Sequence, residues 1–147
     1  MGMYSTAVAV KNFVLESMDG FTADNCSVGD ESVFAYIQEN SLQSYKCCII
    51  TPETDNLIKL EMGGGLYAMT GSINGFFMIS NEDYMSPQIA AYGFMDELRL
   101  GILRNPNLDR TVMRAKITSV GPLMTYQRGN YYYYIAPLDY EVLENLE

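Results

Sequence analysis

The chain contains no histidine. That absence removes the commonest general base, proton shuttle and metal ligand, and it rules out a Ser–His–Asp triad. Cysteine is scarce: Cys26 stands alone, Cys47 and Cys48 are adjacent, and no CxxC spacing exists. Neighbouring strand residues point to opposite faces, so Cys47 and Cys48 are badly placed to bridge or to share a metal. The three read as small, reduced core side chains in a cytoplasmic setting. No apolar run approaches the ~20 residues of a membrane span, and no signal peptide is recognisable, so no membrane partner is expected. Basic residues are few, nine Lys+Arg against eighteen Asp+Glu for a net charge of −9, which argues against general nucleic-acid binding. Repeats, low-complexity tracts and linkers are missing as well.

What is present suits one compact unit. A length of 147 residues is one domain's worth, and 1–147 is read as a single domain. A chain this size buries roughly 70% of its unfolded surface and needs neither disulfide nor metal to fold. Its 48% hydrophobic content is too high for disorder.

Helical spacing of Val10, Phe13, Val14 and Met18 predicts a helix over 5–18, capped by Ser5 or Thr6 and stopped at Gly20. A shorter helix is expected from Asp30 through Val33, Phe34 and Ile37 to Asn40, and 24–29 reads as loop or a short extended piece. The period then changes. Tyr45 to Thr51 reads as a strand stopped by Pro52, with a second extended piece at Leu57–Leu60. Leu66 to Ser80 reads as one long strand or a hairpin, with Gly71 and Gly75 as bulge or bend points. Ser86–Pro87 opens the clearest helix, with Ala90, Ala91, Phe94, Leu98 and Ile102 as its apolar stripe and Asn105–Pro106 as its end. Strands follow at 111–120, 122–127 and 131–136, the last two joined by a tight turn at Arg128–Gly129–Asn130. The order predicts an α+β fold: a mostly antiparallel sheet with helices packed on one face.

Candidate chemistry is thin. Gly63–Gly65 lacks the strand-to-helix context and the following Lys–Ser/Thr of a phosphate loop, and reads as a turn. The carboxylate pairs Glu82–Asp83 and Asp96–Glu97 have the chemistry for Mg²⁺ or acid–base work, but their loop and outer-helix positions suit solvation. No catalytic residue, cofactor or metal is expected.

Two features remain. In Tyr131, Tyr132, Tyr133 and Tyr134, strand spacing sends alternate rings to opposite faces, so a half-buried sheet displays one pair, and exposed tyrosine suits protein contacts. Charge is also segregated. Residues 1–97 carry thirteen acids and three bases, 98–128 six bases and one acid, and 129–147 four acids and no base, netting −10, +5 and −4. Acidic and basic surfaces on one chain suit head-to-tail self-association. Arg99, Arg104, Arg110, Arg114, Lys116 and Arg128, with Tyr131–Tyr134, are therefore the candidate subunit or partner interface.

The stretch Asp96-Glu97-Leu98-Arg99 … Ile102-Leu103-Arg104-Asn105-Pro106-Asn107-Leu108, followed by Thr111-Val112 and Thr118-Ser119-Val120, resembles the helix-to-strand passage of tailed-phage tail terminator (tail completion, neck) proteins, with their I-L-x-x-P-x-L phrase. Cys47-Cys48-Ile49-Ile50-Thr51-Pro52-Glu53 is similar to that family's strand of the P-x-I-x-I-x-P kind, and 65–80 to its central strand pair. By architecture the resemblance spans about residues 5–143, while 20–45 is longer and more irregular than the family pattern and the Gly63–Gly65 break has no counterpart in it. It implies a non-enzymatic virion protein, assembled in the host cytoplasm as a ring, commonly a hexamer. Such a ring caps the tail tube, stops its polymerisation and meets the head-side connector, while DNA passes through the lumen without being read. A small acidic inhibitor of the anti-defence or DNA-mimic type is the alternative, although the acids are scattered rather than aligned in a phosphate-like track. A non-catalytic binding module, or a small enzyme using Asp/Glu and Tyr, is a third class.

Overall fold

The computed structural model describes residues 2–29, 44–59, 65–80, 85–128 and 131–145. Among the described residues, two helices and six strands form an α+β fold with a mostly antiparallel sheet. In chain order these are α1 (Met3–Ser17), β1 (Cys26–Val28), β2 (Ser44–Lys59), β3 (Gly65–Ser80), α2 (Met85–Arg104), β4 (Arg114–Val120), β5 (Met124–Arg128) and β6 (Tyr131–Asn145). Strand order is β1-β2-β3-β6-β4, with β5 also paired to β6. Only β1 runs parallel to its neighbour, β2. The helix expected at 30–40 and the turn at Gly63–Gly64 lie outside the described residues.

Both helices lie on one face. α1 packs over β1 and β2, and α2 over β3, β6 and β4. Phe13 and Val14 of α1, Phe94, Leu98 and Ile102 of α2, and Ile73, Leu138 and Tyr140 of the sheet share one buried core. Period-2 alternation puts Gly71, Ile73, Gly75 and Phe77 of β3 on that face, opposite Tyr140, Leu138, Ala136 and Tyr134 of β6.

Several local details differ from the sequence expectations. α1 begins after Gly2, which offers no side-chain cap. Thr6 falls on the apolar face and is fully buried, so its hydroxyl donates back to the Gly2 carbonyl at 2.8 Å instead of capping. In α2, which starts one residue before Ser86, Met95 takes the core place expected of Ala90, which is exposed.

Pro52 does not end its strand. β2 continues to Lys59 through a register shift between Pro52 and Thr54. A proline is tolerated there because the β1 ladder runs only as far as Ile50, so among the described residues no strand pairs with Pro52 on that side. β3 is likewise a single strand, and the irregularity lies in β2, across from Gly71. Gly71 and Gly75 make room rather than bends. A Cβ on Gly71 would collide with the Tyr140 hydroxyl, and one on Gly75 would lie 2.7 Å from Phe94 Cε1.

β6 runs to Asn145 through Pro137, well past Ala136. One edge of β6 carries two separate partners, β5 up to Ile135 and β4 from Leu138. Pro137 occupies the gap between these ladders, where its carbonyl accepts from the Gly121 N–H at 2.8 Å. β4 starts at Arg114 rather than Thr111 because an ordered turn occupies the preceding residues.

Candidate functional site

The C-terminal half of α2 and the edge strand β4 wall a cleft of about 490 Å³. Arg99, Leu100 and Leu103 come from the helix, and Arg114, Lys116 and Ile117 from the strand. Ile102 and Ala115, both buried, close its floor and hold the two walls together. Leu103 is 73% exposed and Leu100 39%, a costly display of aliphatic surface beside guanidinium groups. Lys116 Nζ lies 3.3 Å from Glu141 Oε1, the single ion pair among the described residues. With the lysine more than half exposed, that pair is worth no more than about 1 kcal/mol. Among the described residues Arg99 and Arg114 therefore present charges with no carboxylate partner. Chemically the cleft suits an occupant that brings apolar surface together with carboxylates.

The loop leaving α2 borders this cleft through Pro106. It contains three successive non-glycine residues with positive φ, Leu108 at 48°, Asp109 at 58° and Arg110 at 68°. A left-handed residue costs about 1–2 kcal/mol, so the turn persists only because other contacts over-determine it. Leu108 is buried in the core. Asn105 Oδ1 accepts from the Asp109 N–H at 3.3 Å while its Nδ2 donates to Asp109 Oδ1. Asn107 Oδ1 accepts from the Arg110 N–H at 3.2 Å, and its carbonyl accepts from Thr111 and Val112. The Asn-Pro-Asn-Leu-Asp-Arg-Thr text is thus a rigid shoulder that presents Arg110 outward.

Of the sequence-predicted interface residues, the cleft brings together Arg99, Arg114 and Lys116. Arg104 and Arg110 are exposed on α2 and the shoulder, outside the lining, and Arg128 stands at the far end of β5, paired with Tyr131. Tyr134 requires a correction. It lies on the helix side of the sheet and is 5% exposed, so it belongs to the core rather than to a displayed surface. The side chains of Tyr131, Tyr132 and Tyr133 lie outside the described residues.

Residues not anticipated from sequence lie at the other end of α2. Met18, Asp19 and Phe21, after α1, face Ile89, Gly93 and Glu97 of α2 across a hollow of about 410 Å³. Lys46 is folded into its wall, donating to the Asp19 carbonyl at 2.9 Å with its ammonium 4.8 Å from the Phe21 ring centre. Ile89 is 63% exposed. One signal was available: Ile89, Tyr92, Leu100 and Leu103 fall outside the core stripe yet recur at three- and four-residue steps, allowing for one missed turn.

The buried titratable groups include the three cysteines. Parallel pairing of β1 with β2 sets Cys26 beside Cys48, and their thiols hydrogen-bond one another. That bond and burial hold the Cys48 thiol well above its ordinary value, while burial pushes Cys47 up to about 12. Raised thiols such as Cys47 and Cys48 are poor nucleophiles, whereas the bond from Cys48 and the Lys11 charge lower the Cys26 thiol against its burial. Among the described residues no three Cys, Asp or Glu side chains converge as a metal site, and no helix is long and apolar enough to cross a membrane. No protein-family model matches the chain, and no curated protein matches it in sequence.

Proposed function

We propose that this chain is a structural, ring-forming neck or tail protein of a tailed phage, of the tail terminator type, which caps the tail tube and joins it to the head-side connector. The observation that carries the reading is the α2–β4 cleft, where exposed leucines adjoin two arginines with no carboxylate partner among the described residues, on a chain of net charge −9. A protein with such a patch is built for a macromolecular contact, and its own copies are the nearest source of complementary acids. The text resembling terminators, Asp96 to Leu108, is the segment that builds this wall and the rigid shoulder beside it. In this reading the protein is not an enzyme. Tube protein and connector bind the two open faces of the ring, and DNA crosses a lumen that need not grip it.

A DNA-mimic inhibitor fits less well, because Glu141, on the acidic strand β6, is already matched by Lys116. The decisive experiment is electron microscopy of particles produced without this protein. Over-length tubes and unattached heads are expected. Tubes of normal length with heads in place would overturn the assignment.

A further inference from the structure

The hollow and the cleft lie on opposite flanks of α2. Glu97 lines the hollow and Arg99 lines the cleft. Two residues apart on a helix of 3.6 residues per turn, they project roughly 200° from one another. The hollow lies on the α1 side, toward β1 and β2, and the cleft opens over β4, at the far end of the sheet. Their characters are complementary. The hollow has an apolar floor of Phe21, Phe77 and Phe94 with Ile89 on its rim, exposed carboxylates at Asp19 and Glu97, and a lysine, Lys46, bonded into its wall. The cleft has a projecting leucine, Leu103, and guanidiniums at Arg99 and Arg114 that have no carboxylate partner among the described residues. Gly93 leaves the hollow open, for a Cβ there meets nothing within 4 Å.

We propose that Leu103 of one copy seats in the Phe21–Ile89–Gly93 hollow of the next, with Arg99 and Arg114 facing Asp19 and Glu97. Because knob and hollow are different patches, Leu103 lying about 15 Å along α2 from Gly93, the contact is heterologous and propagates head to tail, forming a ring where it closes. A two-fold pairing of α2 crests is disfavoured, since exposed Asp96 lies midway between Ile89 and Leu103 and would meet its own copy near the axis. This inference rests on the ring reading and specifies its subunit contact.

The test uses the full chain in two variants. Leu103→Asp removes the projecting residue and keeps the hollow, while Gly93→Leu fills the hollow and keeps Leu103. Both sites are open to solvent or empty space, and circular dichroism melts check that each variant folds. Light scattering should give an oligomer larger than a dimer for the unaltered chain and a monomer for each variant alone. An equimolar mixture should give a dimer and nothing larger, because only one competent pair of surfaces remains. As an independent arm, Glu97→Arg and Arg99→Glu should each weaken assembly, and the double variant should restore it. Persistence of the oligomer in either Leu103→Asp or Gly93→Leu overturns the contact, as does a mixture that stays monomeric. An unaltered chain that is a dimer or a monomer at its highest soluble concentration also overturns it. The neck assignment is judged separately, by tube length in particles lacking the protein, so the two can fail independently.

Discussion

Replacing Gly75 by alanine opposes two effects of different sign, and the structure says which one wins. Gly75 sits in the middle of β3 and is not one of the glycines with positive φ, so its backbone is open to any residue. On backbone grounds alone, Gly75→Ala should stabilise by about 0.4–1 kcal/mol through a less flexible unfolded chain. The added methyl, however, would lie 2.7 Å from Phe94 Cε1 and 3.0 Å from Phe77 Cε2. Phe94 has little room to retreat. Its ring is 5.5 Å from Phe21 and 5.7 Å from Phe77, centre to centre, and it is 3% exposed. Overpacking of this kind costs about 1–3 kcal/mol. The net expectation is a loss of about 1–2 kcal/mol, which for a chain of this length lowers Tm by about 2–8 °C. Urea unfolding at constant m-value measures it. A double-mutant cycle with Phe94→Leu supplies the control: relieving the crowding should make Gly75→Ala nearly neutral or favourable in that background. A Gly75→Ala variant as stable as the parent or more so would refute the claim that β3 carries glycine here for the sake of the α2 aromatic.

The opposite sign is expected at Gly93, where nothing lies within 4 Å of an added Cβ inside α2, so Gly93→Ala should raise stability by about 1 kcal/mol in the same assay. In the shoulder after α2, Asn105→Ala removes the acceptor for the Asp109 N–H and should cost about 1 kcal/mol, whereas Arg110→Gly relieves a left-handed φ of 68° and should be neutral or stabilising. Stability should decline above pH 9. Cys47 ionises near 9.0 when unfolded but is pushed to about 12 by burial, and Tyr140 moves from 10.0 to about 12 through burial first and the Glu53 carboxylate second. Raised folded values mean that stability is whole below the unfolded pKa and is lost as pH climbs toward 12, at about 1.4 kcal/mol per pH unit for each group. Urea midpoints from pH 8 to 12 should trace this fall, and Tyr140→Phe should flatten it above pH 10; an unchanged slope would show that Tyr140 is not part of it.

The periodic parts of this fold were legible because one rule dominates them. Val10, Phe13 and Val14, and then Ala91, Phe94, Leu98 and Ile102, recur at helical steps, and burial of that stripe against a sheet leaves no other arrangement that hides it. The failures share a cause as well. Pro52, Gly71 and Gly75 were read by their local backbone preferences, as a stop and as bends, and the last strand was ended at Ala136, before Pro137. In each case the tertiary neighbour decided: among the described residues, the end of the β1 ladder before Pro52, the gap between β4 and β5 beside Pro137, and an aromatic ring over each glycine. A residue's local preference says what it tolerates, and the strand or ring opposite says why it is there.

The same distinction separates what was visible of the proposed interface. Formal charge is additive along a sequence, so the basic run from Arg99 to Lys116 could be seen in advance. Which of its members converge depends on α2 and β4 lying side by side, and that follows from the crossing of the Asn105–Met113 turn. The hollow was invisible for a stronger reason. Its walls come from residues 17–21, 46, 77 and 89–97, joined only by the topology that lays α1 and α2 on one sheet face. Its defining residue is moreover a glycine whose contribution is empty space. Composition supplied the charges of the proposed self-association, whereas the pairing proposed for it needs the fold, which sets Glu97 by the hollow and Arg99 by the cleft.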